Sequence, residues 1–188
     1  QKNIVPVVDA ALKKADKTLQ EIDAIAVTRG PGLMGSLLVG LSFAKSLALA
    51  LNKPLIEVHH MQAHIMAHFI REENTPVPEY PFICLTVSGG HTQLVLLRSP
   101  LEFEVVGQTI DDAVGEAFDK AAKIMGLPYP GGPLIDKYDK EGNATRFQFA
   151  STKVTGLDYS FSGIKTSFLY FINREVQKDV DFVKNNLN

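Results

Sequence analysis

A chain of 188 residues with 45% apolar side chains can fill one ordinary domain or two small lobes. Its 19 Lys and Arg against 21 Asp and Glu give no global positive field, so any contact with nucleic acid is local or supplied by a partner. A single cysteine, Cys84, excludes an intramolecular disulfide framework and cysteine-rich zinc sites, and it fits a reducing cytoplasm.

The chain begins with Gln1, carries no signal-peptide pattern, and enters a helical pattern almost at once, with Ile4, Val8, Ala11, Leu12, Ala15 and Leu19 at helical spacing. It reads as a fragment, cut at this end at least. "AIAVT" (Ala24 to Thr28) is short, apolar and followed by a glycine-rich turn, which predicts a buried strand. The turn "RGPGLMG" then opens a long helix to about Leu51, stopped by Asn52 and Pro54. Its core, "SLLVGLSFAKSLALAL", is broken by Gly40 and Lys45 and reads as a buried helix, so no membrane partner is expected. "PLIEV" is a second strand, and "VHHMQAHIMAHF" a short helix after it. Strand, helix, strand predicts two parallel strands joined by a right-handed crossover.

Residues 71–81, charged and then rich in proline, read as a connector. Beyond it "PFICLTV" and "HTQLVLLR" form a hairpin across "SGG", and "FEVVGQTI" a third strand. A helix from about Val114 to Met125, the turn "PYPGGP", another helical piece and an amphipathic helix around "FSGIKTSFLYFINRE" follow. Three meandering strands before a helix open a ribonuclease H-like lobe, and strand-helix-strand continues one. The expected architecture is α/β, with residues 1–80 the later part of one lobe and 81–188 the start of a second, both incomplete.

Four of the five histidines fall in one stretch, and His60 and His64, at i and i+4, can converge on one ion. His68 is about 12 Å from His60 along the axis, too far to share the ion, and His59 precedes the helix and points elsewhere. A packed or solvated pair is the rival reading. Met61 stands where a helical zinc peptidase needs its glutamate base. "GPGLMG" (Gly30 to Gly35) matches the dinucleotide fingerprint, with Glu57 placed for a ribose, but a hairpin meander follows where that fold continues with parallel strands; a tight structural turn remains the alternative. "GSLLVGLS" lacks the lysine of a P-loop.

In the second half, Gly89 and Gly90 predict a tight hairpin with two positive-φ residues and exposed amides, flanked by the Ser88 and Thr92 hydroxyls, a plausible anion cradle. Asp111 and Asp112 fit the dipole of the helix they precede, whereas Asp119 lies deeper and is available for a ribose or a lysine. "PGGP" (Pro130 to Pro133) exposes bare backbone to a ligand or simply ends a helix.

Taken together, "VTRGPGLMGSLLVGLSFAKSLAL", "HHMQAHIMAH", "TVSGGHT", "DDAVGEAFDKAAKIMGLPYPGGP" and "YSFSGIKT" resemble, in the same order, segments of the bacterial tRNA threonylcarbamoyladenosine transferases, formerly labelled O-sialoglycoprotein endopeptidases, which have the actin-like ATPase fold. The resemblance implies that His60 and His64 hold one iron or zinc ion. It implies that Thr86, Val87, Ser88, Gly89 and Gly90 line an adenylate or ATP site, with Asp119, Gly132 and Asp136 on its sugar or base. It implies transfer of threonylcarbamoyl from threonylcarbamoyl-adenylate to an adenosine of the tRNA anticodon loop, with accessory protein subunits as partners. The family's N-terminal acidic motif and its C-terminal Asp ligand and Asn contact lie outside these residues, so this piece alone is expected to bind metal poorly and not to turn over. A non-catalytic scaffold relative and the older peptidase label are the competing readings.

Overall fold

The computed structural model describes residues 2–71, 75–140 and 142–187. The chain divides into two compact units, Gln1–Pro78 and Glu79–Asn188. The connector expected over 71–81 has no regular structure at Arg71 and from Thr75 onward, and residues 72–74 lie outside the described residues.

In the first unit, α1 (Ile4–Lys14), β1 (Ile25–Gly30), α2 (Met34–Leu51), β2 (Leu55–His59) and α3 (His60–Met66) follow in order. β1 and β2 pair in parallel from Ile25↔Leu55 to Thr28↔Val58, and a bulge brings Gly30 opposite His59. β1 therefore runs two residues past the expected Thr28, into the glycine turn. α2 packs along β1 as the crossover helix. It ends at Asn52, whose left-handed conformation (φ 51°, ψ 47°) returns its N–H to the carbonyls of Ala48 and Leu49.

The expectation that α2 is buried is corrected: only Ala44 and Ala48 are, while Met34, Leu38 and Leu49 stand exposed. Two strands and an 11-residue helix cannot cover all sides of an 18-residue one. By length and composition alone α2 is also long and apolar enough to cross a membrane. Between α1, β1 and α2 an apolar groove of about 700 Å³ stays open, lined by Val8, Leu12, Ile25, Val27, Phe43 and Leu47 among others.

The second unit opens with β3 (Phe82–Val87), β4 (Thr92–Ser99) and β5 (Glu102–Gln108), an antiparallel meander in that order. Alternation along the strands buries Cys84, Thr86, Val95 and Leu97 on one face and leaves Ile83, Leu85 and Val87 exposed on the other. α4 (Val114–Ile124), α5 (Gly132–Asp139), α6 (Ser162–Lys178) and α7 (Phe182–Asn185) follow. Phe147, Phe149, Phe168, Phe171 and Phe182 stack edge-to-face or tilted at 4.8–6.2 Å between centroids, which knits the helical part together.

Before α6 the chain returns to the sheet. Tyr159 forms a parallel bridge with Thr109, its carbonyl accepts from Ile110 N–H at 2.9 Å, and its own N–H donates to Gln108 at 3.1 Å. Gly107 permits this approach, because a Cβ there would collide with the Leu157 carbonyl.

Candidate functional site

Each unit carries its own group of candidate residues. In the first, α3 is amphipathic on adjacent faces. Met61 and Ile65, the latter 1% exposed, anchor it to the core, and His60 and His64 project into solvent one residue round the helix. Their Nε2 atoms lie 3.2 Å apart, with ring centroids 4.5 Å apart. Two imidazoles bonded to one ion at about 2.0–2.1 Å place their nitrogens roughly 2.9 Å apart at a right angle and 3.4 Å at a tetrahedral one. The pair fits a shared ion. Among the described residues no group of three or more His, Cys, Asp or Glu side chains accompanies it, so an ion held here would need further ligands.

His59, the last residue of β2, serves the helix instead of an ion. Its Nδ1 accepts the Gln62 N–H at 3.5 Å as the N-cap of α3. The buried Met61 stands where a peptidase base would have to reach solvent, which disfavours the peptidase reading. Glu57 is held by Arg29, whose Nη1 lies 3.1 Å from both carboxylate oxygens, so the acid expected of a dinucleotide fold is already paired.

In the second unit the "SGG" turn departs from expectation. Pairing stops at Val87↔Thr92, so four residues connect the strands, and neither Gly89 nor Gly90 has positive φ. A four-residue loop does not require the mirror-image turns of a two-residue hairpin. Ser88 locks it: its Oγ accepts from Gly90 N–H (3.3 Å) and His91 N–H (2.9 Å) and donates to the His91 carbonyl (3.0 Å). Of the amides expected to form an anion cradle, Ser88, Gly90 and His91 are thus engaged within the turn, leaving Gly89. The Thr86 side chain is turned inward, 8% exposed, and donates to the Gln93 carbonyl. Thr92 is buried too, its Oγ1 accepting Val114 N–H at 2.9 Å.

The start of α4 abuts this turn. Gly115 N–H donates to the Ser88 carbonyl at 3.2 Å, and a Cβ on Gly115 would stand 2.8–2.9 Å from Ser88 O and the Gly89 backbone. Gly115 joins the candidate residues by this contact, which sequence reasoning missed; its signal was a glycine in the first turn of a helix. One turn later Asp119 Oδ1 accepts Gly131 N–H (2.8 Å) and Gly132 N–H (3.2 Å), tying α4 to the start of α5. The two glycines then differ. A Cβ on Gly131 would collide with Ala122, whereas nothing lies within 4 Å of one on Gly132. Asp136, four residues on, is exposed and paired with Lys140 at 3.2 Å. Ser88, Gly89, Gly115, Asp119, Gly131 and Gly132 are therefore linked by contact, with Asp136 on the next helical turn.

Asp111 and Asp112 do not chiefly serve the dipole of α4. Asp111 reaches Ser160 Oγ, Phe161 N–H (2.8 Å) and Ser162 N–H (3.3 Å), capping α6 from 50 residues away. Burial raises its pKa, but these bonds outweigh it and hold the carboxyl at about 2. Asp112 joins Lys120 (2.6 Å) to Lys165 (2.9 Å), and the bonds from Lys120 and then Lys165 lower its pKa.

Residues 1–186 match the family profile of tRNA N6-adenosine threonylcarbamoyltransferase. Proteins of that description from Christiangramia forsetii and Porphyromonas gingivalis are 62% and 58% identical over 187 and 188 residues, 100% and 99% of this chain. The chain spans 55% of the length of each. The solved YeaZ from Pseudomonas aeruginosa shares 23% identity over 55% of this chain and 48% of that chain, with a TM-score of 0.38. The mixed α/β layout is that of the actin-like ATPase fold implied by the family resemblance. On the whole-length match of its sequence, this chain belongs to the tRNA N6-adenosine threonylcarbamoyltransferase family.

Proposed function

We propose that the protein to which this chain contributes transfers threonylcarbamoyl from threonylcarbamoyl-adenylate to the exocyclic amine of an adenosine in a tRNA anticodon loop. The family match across residues 1–186 carries this reading. In it, residues 1–80 are the later part of a first ribonuclease H-like lobe and 81–188 the start of a second, which the division of the chain near Pro78 supports. His60 and His64 hold one divalent ion, iron or zinc, a reading supported by their 3.2 Å Nε2 spacing. Such an ion, when bound, would supply Lewis-acid chemistry.

The adenylate lies along Val87, Ser88, Gly89 and Gly90, with Thr86 as the inward strand residue beneath them. The Gly89 N–H and the positive end of α4 meet the phosphate, supported by the packing of Gly115 against the turn. The second oxygen of Asp119, the bare face of Gly132 and Asp136 take the sugar or base. Attack by the adenosine amine forms the new C–N bond as the bond from the carbamoyl carbon to the phosphate oxygen breaks; the adenylate leaves with the electron pair and the amine releases one proton to solvent. The residues act by orientation and charge stabilisation. Accessory subunits complete the assembly in the cytoplasm, and the exposed apolar residues of α2 support a protein contact there.

The test uses the complete reading frame with its accessory subunits, tRNA and threonylcarbamoyl-adenylate, and mass spectrometry of the tRNA nucleosides. The expected product is the threonylcarbamoylated adenosine; its absence overturns the reading. Metal content of His64→Ala beside the parent is expected to fall at least about tenfold. Equal occupancy removes His64 from the site.

A further inference from the structure

We infer that the groove between α4 and α6, walled by Lys120, Lys123 and Lys165 and continued to Tyr129, is a binding track for the phosphate backbone of RNA. This rests on the tRNA reading above. The chain as a whole is slightly acidic, with a formal charge of −2, so an RNA contact must be concentrated somewhere.

The groove encloses about 450 Å³, and among the described residues its wall consists of the three lysines with Ile124, Thr166 and Leu169. Lys120 and Lys165 come from different helices and would repel one another. Asp112 lies between them, 17% exposed, and fixes both ammonium groups at 2.6 and 2.9 Å. One carboxylate behind two cations leaves their outer sides for a second anion. Glu116 takes part of Lys120 at 2.9 Å, but Lys123 is exposed and without an ion-pair partner among the described residues. In the groove between α4 and α6 three ammonium groups thus face two carboxylates, and the excess positive charge sits there.

The track runs on past α4. A second hollow of about 230 Å³ shares Lys120 and Lys123 and is lined also by Glu116, Asp119, Gly131 and Tyr129, so two carboxylates stand beside the two lysines there. The Tyr129 ring, 85% exposed, presents a face on which an unpaired base can stack. Lysines fixed for phosphates beside a free aromatic face are the chemistry of single-stranded RNA recognition, and an anticodon loop is single-stranded. The shared Asp119 and Gly131 put the track next to the proposed nucleotide contacts, where the target base has to arrive.

The experiment measures binding of labelled substrate tRNA to the complete protein, assembled with its accessory subunits, across a salt series. Lys123→Glu is expected to weaken binding about tenfold at about 0.1 M salt and to reduce the slope of log affinity against log salt by about 1. Its thermal midpoint and its affinity for adenosine monophosphate stay at the parent's values. Tyr129→Ala is expected to weaken binding about tenfold, and Tyr129→Phe to restore it. Parental affinity and slope in Lys123→Glu overturn the track and leave the transferase reading standing. Loss of an accessory subunit with RNA binding intact makes the groove a protein-docking surface and also overturns it. A parent complex that binds no tRNA overturns the transferase reading and the track together.

Discussion

Gly131 and Gly132 are adjacent, identical in sequence terms, and glycine for different reasons. Gly131 sits where α5 leans on α4, so its missing Cβ is an internal packing requirement; Gly132 faces open space. Gly131→Ala is expected to cost about 1–3 kcal/mol of stability by overpacking. Gly132→Ala is expected to melt as the parent does and to lose adenylate affinity about tenfold or more, because the new methyl meets the ligand and not the protein. Thermal melts beside nucleotide titrations separate the two, and equal nucleotide affinity in Gly132→Ala would remove that residue from the contact set. His59 makes the same point in the first unit, since the imidazole beside the metal pair is a helix cap.

At the scale of elements, α6 depends on a carboxylate that is remote in sequence. Ordinary helices cap themselves with a side chain at the N-cap, but Phe161 stands there and Asp111 takes over the orphan amides. The folded carboxyl titrates at about 2, below its ordinary 3.8, so between these values the unfolded chain binds the proton more readily than the folded one. The stabilisation is complete above about pH 4 and drains away as the pH falls toward 2. Asp111→Ala is therefore expected to be less stable than the parent at about pH 7 and to lose less stability on acidification. Urea unfolding at about pH 7, 4 and 2.5 checks this, and parallel losses in both proteins would contradict it.

For the whole molecule, the division into Gln1–Pro78 and Glu79–Asn188 has a direct optical consequence. All five tyrosines, Tyr80, Tyr129, Tyr138, Tyr159 and Tyr170, lie in the second unit, and the chain has no tryptophan. Tyrosine fluorescence thus reports the second unit alone, whereas far-ultraviolet circular dichroism reports helices in both. Each unit has its own buried residues, Ala44, Ala48, Met61 and Ile65 in one and Val95, Leu97, Ala122 and Ile172 in the other. The two probes are expected to give non-coincident urea curves. Superimposed curves would mean that the units unfold as one.

Short windows of the sequence were enough for the order and type of the helices and strands from α1 to α6, the parallel strand pair, the meander and the i, i+4 placement of His60 and His64, though not for the short α7. Hydrophobic period, glycine, proline and helix geometry all act within a few residues, so each leaves a local trace. How each group is used emerged only on folding: Ser88 consuming the amides of its own turn, Gly115 admitting that turn to the start of α4, Asp111 capping α6, and Asp112 gathering two lysines from different helices. A hydrogen bond across 50 residues leaves no local periodicity to read, because it exists only once folding has brought the two ends together and excluded the water that would otherwise satisfy them.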